Sequence, residues 1–433
     1  MTPQPADADP IPLAILGGGA AGLAAAIFAA QSAGSGKGIL LLDTAKSLGA
    51  KILVAGGGRC NVTHERVTPA DFNGAPTIVR NILAAFDADA AVRWFTSLGV
   101  ELKREETGKL FPVTDSARTV LNALLHRCDE LGVAIRTGCR ITAVAPPTDA
   151  APHFTITHDH GVLRATRLLL ATGGRSLPKT GSDGTGWLLA QQLGHTVTDT
   201  HAALVPLVLD NNKFFHAQLS GLSQIVELST FANNKRIDRR TGSLLWTHFG
   251  MSGPVVMDAS RHWVIATESG AAAEMRCNFL PGETFESTER WLIDAATARP
   301  RASIATILAE RLPQRVADAL LAHVKLIPTT PLAQLPRDAR RTLAHALTAL
   351  PLPVVQHRGW NYAEVTAGGV PLAEIDYRTM RSRKQPNLYL AGEILDCDGR
   401  IGGFNFQWAW ATGYLAGMAA GRSLSVTCAA PRD

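Results

Sequence analysis

Four apolar residues, Leu13 to Leu16, run straight into Gly17-x-Gly19-x-x-Gly22 and then into the alanine-rich stretch 23–31. This order of strand, glycine turn and helix leaves the chain little choice of fold. Gly17 permits a tight turn, Gly19 lets the backbone approach a diphosphate, and Gly22 lets a helix pack closely on a strand. The helix start offers unpaired N–H groups and the positive end of a dipole to anions. A second apolar run, 38–42, ends in Asp43, which lies 43 − 22 = 21 residues past the third glycine. A dinucleotide-binding unit places at that distance the carboxylate that meets a ribose hydroxyl.

The rest of the chain must be compatible with such a unit. At 433 residues it has room for two or three domains, and 46% hydrophobic with 18% charged residues describes an ordinary globular protein. No apolar run reaches the roughly 18 residues of a membrane span. Residues 1–10 are proline-rich and acidic without a basic residue, which argues against a signal peptide and for a disordered tail on a cytoplasmic protein. The six cysteines form no C-x-x-C pair, so neither a disulfide framework nor a zinc site is expected. Cys60 alone stands in a glycine cluster. The pair His158 and His160 reads as a surface turn, and no metal is expected. Net charge is +5, spread along the chain, with Arg378 to Lys384 read as the densest basic run. No nucleic-acid partner and no membrane are expected, a small-molecule substrate is, and a homo-oligomer is left open.

Helical periodicity over 77–98 and 118–131 alternates with strand-like runs at 132–136, 140–144, 154–157 and 167–170. From about 194 to 280 the segments are short, β-branched and punctuated by Gly, Asn and Ser, which predicts an antiparallel body with strands at 204–209, 224–230, 243–247 and 273–279. Residues 287–350 are Ala/Leu/Arg-rich with prolines dividing short helices, and Pro351 to Pro353 reads as a hinge. Strand-then-glycine character returns at 385–393, before a last helix at 407–418. These features predict an α/β protein in which a dinucleotide-binding domain is built from 11–191 and 355–424, with a β-rich and helical substrate domain inserted at 192–354.

Four segments carry chemistry. Gly56-Gly-Gly-Arg-Cys-Asn61 strips three consecutive positions of side chains, so a flat ring could lie on the backbone, with Arg59 as a cationic fork and Asn61 at a heteroaromatic edge. By itself it reads equally well as a flexible loop capped by Asn61 or Thr63. Leu168-Leu-Leu-Ala-Thr-Gly-Gly174 is a strand ending in a glycine turn. Gly181-Ser-Asp-Gly-Thr-Gly186 lacks a preceding strand and supports no second dinucleotide unit. In the C-terminal segment 388–407, an apolar strand ends at Gly392-Glu393 and Gly402-Gly403 precedes a helix, whose N-terminus would stabilise charge on a reduced ring. His248 and the Thr366–Gly369 stretch stand out as well.

Val54-Ala-Gly-Gly-Gly-Arg-Cys-Asn-Val-Thr63, Thr247-His-Phe-Gly-Met-Ser-Gly-Pro254, Thr366-Ala-Gly-Gly-Val370 and Ala391-Gly-Glu with Gly-Gly-Phe-Asn-Phe-Gln407 together resemble the BaiN-like family of bacterial flavoproteins. Members carry names such as NAD(P)/FAD-dependent oxidoreductase or aminoacetone oxidase family protein. The resemblance covers 11 to about 421 and implies a Rossmann-like FAD-binding domain built from both chain ends, an inserted β-barrel-like and helical domain, and one tightly held FAD. It implies a cofactor bed of Gly17, Gly19, Ala20, Ala21, Gly22, Asp43, Lys51, Gly57, Gly58, Arg59, Cys60 and Asn61. Ile141, Thr172, Gly173, Gly174, Gly392, Glu393, Gly402, Gly403, Asn405 and Gln407 would complete it. The chain departs from the family at Asp43, where Glu is usual, and at Phe404, where Tyr is frequent. The implied activity is an FAD-dependent oxidoreductase passing a hydride through flavin N5, an NAD(P)H-linked reductase of a small organic substrate. An amine-type oxidase using oxygen and a non-catalytic flavin redox sensor are the alternatives. Arg59, Cys60 and His248 are the candidate catalytic residues, Arg59 to orient the substrate and His248 to supply a proton.

Overall fold

Strand β1, Leu13–Leu16, has all four residues buried, as a strand covered on both faces must. It pairs in parallel with β2, Ile39–Leu42, on one side and with Leu168–Leu170 on the other. Ala134–Arg136 and Leu388–Leu390 extend the sheet in the same sense. A strand from beyond residue 380 therefore lies beside one from before 180, and both chain ends build one sheet. The computed structural model describes residues 9–428, with side chains to 424, so the expected tail lies, up to residue 8, outside the described residues.

Helix α1, Ala20–Ala33, is buried without a break from Ala21 to Ala30. It can be buried so completely because the helix Phe404–Cys428 presents Gly413, Gly417 and Gly421 to it. A Cβ at these positions would stand 2.7, 2.4 and 2.3 Å from the carbonyl oxygens of Ala21, Ala25 and Ala29. Three glycines four apart thus form a seam that lets two backbones touch. The expected helix over 77–98 is two helices, Pro76–Ala85 and Ala88–Ser97, because Asp87 accepts the Ala90 N–H and starts a new helix.

The chain divides after Thr200 and again before Val365 into two compact units. These cuts fall nine or ten residues beyond the expected 191/192 and 354/355, since Val354–His357 still pairs with Leu207–Leu209 inside the second unit. That unit, His201–Glu364, holds a seven-stranded antiparallel sheet. Its end strands, Leu350–Leu352 and Val354–His357, are separated only by Pro353, so the sheet must curl its edges together in a barrel-like way. Pro351 to Pro353 is therefore no hinge: Pro351 sits in the ladder opposite Arg276. The helix Pro254–Glu268, which the β-rich reading of 194–280 overlooked, packs on this sheet. Its early residues Val255 and Val256 look like strand formers, but Gly253-Pro254 starts a helix and burial fixes it.

Candidate functional site

The site in the first unit begins at the turn after β1. Gly17 has φ 106°, and a Cβ there would stand 2.3 Å from the Ala171 carbonyl oxygen, so only glycine fits. A Cβ at Gly22 would meet the Gly17 oxygen at 1.8 Å. Gly19 is the opposite case, with nothing within 4 Å of the position a side chain would take. Open space thus lies in front of α1, whose first turn carries no acidic residue and no side-chain cap. Asp43, at the end of β2, accepts the Gly18 N–H at 2.6 Å and the Ala45 N–H at 2.7 Å, which fixes its carboxylate beside the turn.

Behind the turn, Gly174 is pressed against Thr366 and Glu393, since a Cβ there would lie 2.5 and 2.7 Å from their oxygens. Lys51 Nζ, on α2 (Ala50–Gly58), donates to Ser176 Oγ and to Glu393 Oε2, both at 2.6 Å. Ser176 Oγ donates to Glu393 Oε1 at 2.9 Å, and the Thr366 N–H adds a bond at 3.0 Å. Thr366 Oγ1 in turn accepts the Arg175 and Ser176 amides. Four segments distant in sequence are tied by one carboxylate. The sequence offered Lys51 and Glu393, but nothing in it marked Ser176.

The glycine run after α2's apolar start closes the helix, with Gly56 and Gly57 at φ 57° and 69°. Cys60 follows at φ 61°, fully buried, and burial pushes its thiol up to about 12. Arg59 stacks over the Phe111 ring at 4.1 Å and donates to Glu105 at 2.5 Å, with Asp115 at 3.6 Å. The Glu105 bond and these two negative charges raise its pKa further. Asn61 is buried and its Oδ1 has no hydrogen-bond partner. That oxygen lies 2.8 Å from where a Cβ on Gly403 would sit, at the start of the C-terminal helix. Thr172 Oγ1 is a second buried, partnerless oxygen.

Asn405 accepts the Gly399 N–H and donates to the Gly399 carbonyl, closing the loop before the helix. Gln407 is buried between Thr63, whose hydroxyl it accepts at 2.7 Å, and the Phe86 carbonyl, to which it donates. Gly392, at φ 81°, places its N–H on Thr412 and packs against Ala21. Ile141 is buried and pairs opposite His158. His158 is not a surface residue as expected: it is 7% exposed, and its Nδ1 accepts the His160 amide. Cys139, His158 and Asp159 each bring a ligand atom within 4.8 Å of the others. His248 belongs to the second unit, where it is exposed, with its ring edge-on to Phe249 at 5.2 Å.

The first unit's donor set suits a flavin adenine dinucleotide. An uncapped helix start behind an open glycine suits a diphosphate, a fixed carboxylate suits a ribose, and a second helix start with an orphaned amide oxygen suits the ring's polar edge.

Comparison with known proteins places the chain in a family. The family profile described as HI0933-like protein Rossmann domain matches residues 11–419. The chain is 34% identical over 94% of its length, and 98% of the relative's, to the 3-dehydro-bile acid delta(4,6)-reductase of Clostridium scindens. It is 33% identical over 92% of its length, and 95% of the relative's, to the ribosomal RNA dihydrouridine synthase of Escherichia coli. The protein of that name from Haemophilus influenzae is 31% identical, over 94% of this chain and 98% of the relative. Among solved structures, E. coli quinol fumarate reductase aligns at 15% identity and a TM-score of 0.49, over 98% of this chain and 72% of that one.

Proposed function

The chain belongs to the HI0933-like Rossmann family of flavin-dependent oxidoreductases, and on that premise we propose that it is an NAD(P)H-linked reductase of a carbon–carbon double bond conjugated to a carbonyl. One observation carries the reading: relatives aligned over more than nine-tenths of the chain bear names with this chemistry in common. A 3-dehydro-delta(4,6) bile acid is a dienone. Dihydrouridine is uridine whose C5–C6 double bond, conjugated to the C4 carbonyl, has gained two hydrogens. Both names describe a conjugated double bond that gains two hydrogens; for this chain the reading is that one hydride and one proton add across such a bond while NAD(P)H becomes NAD(P)+.

Bound FAD supplies the hydride-carrying chemistry. The open start of α1 holds the diphosphate, and Asp43, already fixed by two amides, takes a ribose hydroxyl. Lys51 is held by Ser176 and Glu393, so it offers an oriented cation at no further entropic cost. The C-terminal helix start, with Asn61 beside it, favours negative charge on the reduced ring. His248 is the candidate proton donor. Arg59 is committed to Glu105 and Phe111, so its role is to hold its neighbourhood in shape rather than to meet substrate. The Cys60 thiol takes no part in the chemistry.

Anaerobic NADPH should bleach the visible band of the FAD-loaded protein, and an enone or a uridine-containing RNA should then restore it with a product two hydrogens heavier by mass spectrometry. A flavin band indifferent to NADPH would overturn the reading.

A further inference from the structure

The first unit holds a cluster of metal-ligating side chains that the chemistry above does not use. The antiparallel pairing of Ile141–Ala145 with Phe154–His158 brings the loop before the one strand against the turn after the other. Arg140 and Asp159 lock the two segments together: the Asp159 N–H donates to the Arg140 carbonyl, and Asp159 Oδ1 accepts the Arg140 N–H, both at 3.0 Å. Cys139, a free and fully buried thiol, is thereby set beside His158 and Asp159. The sequence reading took His158 and His160 as a surface turn and expected no metal, because Cys139 stands 158 − 139 = 19 residues from His158 along the chain.

The Cys139 sulfur, a His158 nitrogen and an Asp159 oxygen all lie within 4.8 Å of one another, so a point no more than about 2.8 Å from each exists between them (4.8/√3). Zinc bonds to these atoms run about 2.0–2.3 Å, so movements of under about 1 Å close the site. His158 Nδ1, 4.0 Å from Asp159 Oδ1, accepts the His160 N–H at 3.2 Å and therefore presents a lone pair beside the carboxylate. His160 supplies the fourth donor. Its Nε2 is 3.5 Å from Asp159 Oδ1, close to the ~3.3 Å between two ligands on a tetrahedral ion with bonds of about 2.0 Å. That nitrogen now faces the Gly138 carbonyl at 3.0 Å, a bond an exposed imidazole gives up by changing tautomer. Asp159 and His160 are both exposed, which gives an ion a path in. Arg136 bears on both Cys139 and His158 and opposes a bound cation, but a thiolate and a carboxylate set two negative charges against its one. Sulfur and nitrogen donors select zinc over magnesium or calcium, which take oxygen ligands.

We propose that Cys139, His158, Asp159 and His160 form a zinc site that pins the loop bonded to the Asp43 backbone. The Cys139 N–H donates to the Asp43 carbonyl at 2.9 Å and the Gly138 N–H to the Ala45 carbonyl at 3.0 Å. The Asp43 carboxylate itself accepts the Ala45 N–H, so an ion that holds Cys139 also holds the backbone that aims the ribose-binding carboxylate. Binding releases the Cys139 thiol proton to solvent. Four protein ligands fill a tetrahedral shell and leave no position for substrate, so the ion's role is structural. It braces a sheet of only three strands whose outer member, Gly161–Ala165, is mostly exposed.

The test titrates the chelator-stripped, FAD-loaded full chain with Co2+, because zinc itself is spectroscopically silent. Intense ligand-field bands to the red of the flavin envelope should saturate at one Co2+ per chain and disappear when Zn2+ is added. Cys139→Ser should weaken Co2+ binding by at least the roughly tenfold that loss of an outer-shell partner costs. The double variant Asp159→Asn, His160→Gln should do the same. Both of its positions are exposed and Asn keeps the bond to the Arg140 N–H, so its circular dichroism should match the parent's. Only the faint bands of a six-coordinate ion, or a titration in both variants equal to the parent's, would overturn the site. For the pinning role, equilibrium dialysis should show FAD held about fivefold tighter or more with Zn2+ present, the low end of ordinary coupling between sites. The double variant should show no such difference, and an FAD affinity indifferent to bound zinc in the parent would overturn that role. Neither readout involves NADPH, so the reductase reading and the zinc site stand or fall separately.

Discussion

Single residues decide how much of the site can be chemically active. Cys60 sits beside a glycine turn where sequence alone leaves open whether the thiol reacts or packs, and it is fully buried and held up to about 12. Because the thiolate is the nucleophile, Cys60 should resist iodoacetamide at pH 8 in the folded protein and react once urea unfolds it. Mass spectrometry of the tryptic peptide reads this out, and labelling of the native protein would refute it. Lys51 carries the opposite expectation. Replacing it with Met removes two charge-assisted bonds and leaves Glu393 partly buried without its cation. FAD affinity should fall by roughly tenfold or more, since bonds to charged groups contribute about 1.5–3 kcal/mol. Equilibrium dialysis showing unchanged affinity would remove Lys51 from the cofactor bed. Lys51 and Glu393 could be named from motifs. Ser176, which joins them, could not, because a serine one residue beyond a Gly-Gly-Arg run carries no distinctive signal.

At the scale of elements, the contact of α1 with the C-terminal helix is the most exposed to test. Gly417 faces Ala25 so closely that a valine Cβ would need 2.4 Å from a carbonyl oxygen. Gly417→Val should therefore cost at least the 1–3 kcal/mol typical of overpacking, about 1–3 °C or more in Tm for a chain of this size. A thermal melt matching the parent would show that the two helices can separate cheaply. The helix Pro254–Glu268 supplies a second test through His262, which lies 3.1 Å from Arg240 and 3.5 Å from Asp238. Burial pushes this imidazole from 6.5 down to about 4, and the Asp238 charge offsets only part of that. The unfolded chain then binds more protons than the native one between those values. The stability His262 contributes as a neutral ring is complete above pH 6.5 and is lost as pH falls toward 4. A Tm-against-pH curve should drop over that window, and His262→Gln should flatten the drop. An equally steep curve in the variant would assign the acid limb to other groups. The strand run at 223–232 was legible because β-branched residues recur there, whereas the helix at 254–268 was not. Its valines match a strand, and only packing on the sheet overrides that local preference.

For the whole molecule, the sequence determined the dinucleotide turn and the fact that both chain ends share one domain. Each of these depends on local backbone freedom or on short motifs. Gly17 and Gly22 have their roles because of what a Cβ would strike, and Gly19 because of the space its missing side chain leaves open; those constraints are written in the sequence itself. Tertiary structure alone decided which distant groups meet: Lys51 with Ser176, Thr366 and Glu393, or Arg358 with Phe249 and Tyr362. It also decided that Pro351 belongs to a ladder and that His158 and Cys60 are buried. Burial and pairing across a hundred residues or more depend on which strands become neighbours, and strand order is set by the packing of the whole sheet. No window of sequence contains that information, because the free energy that selects it comes from surfaces which exist only once the chain has folded.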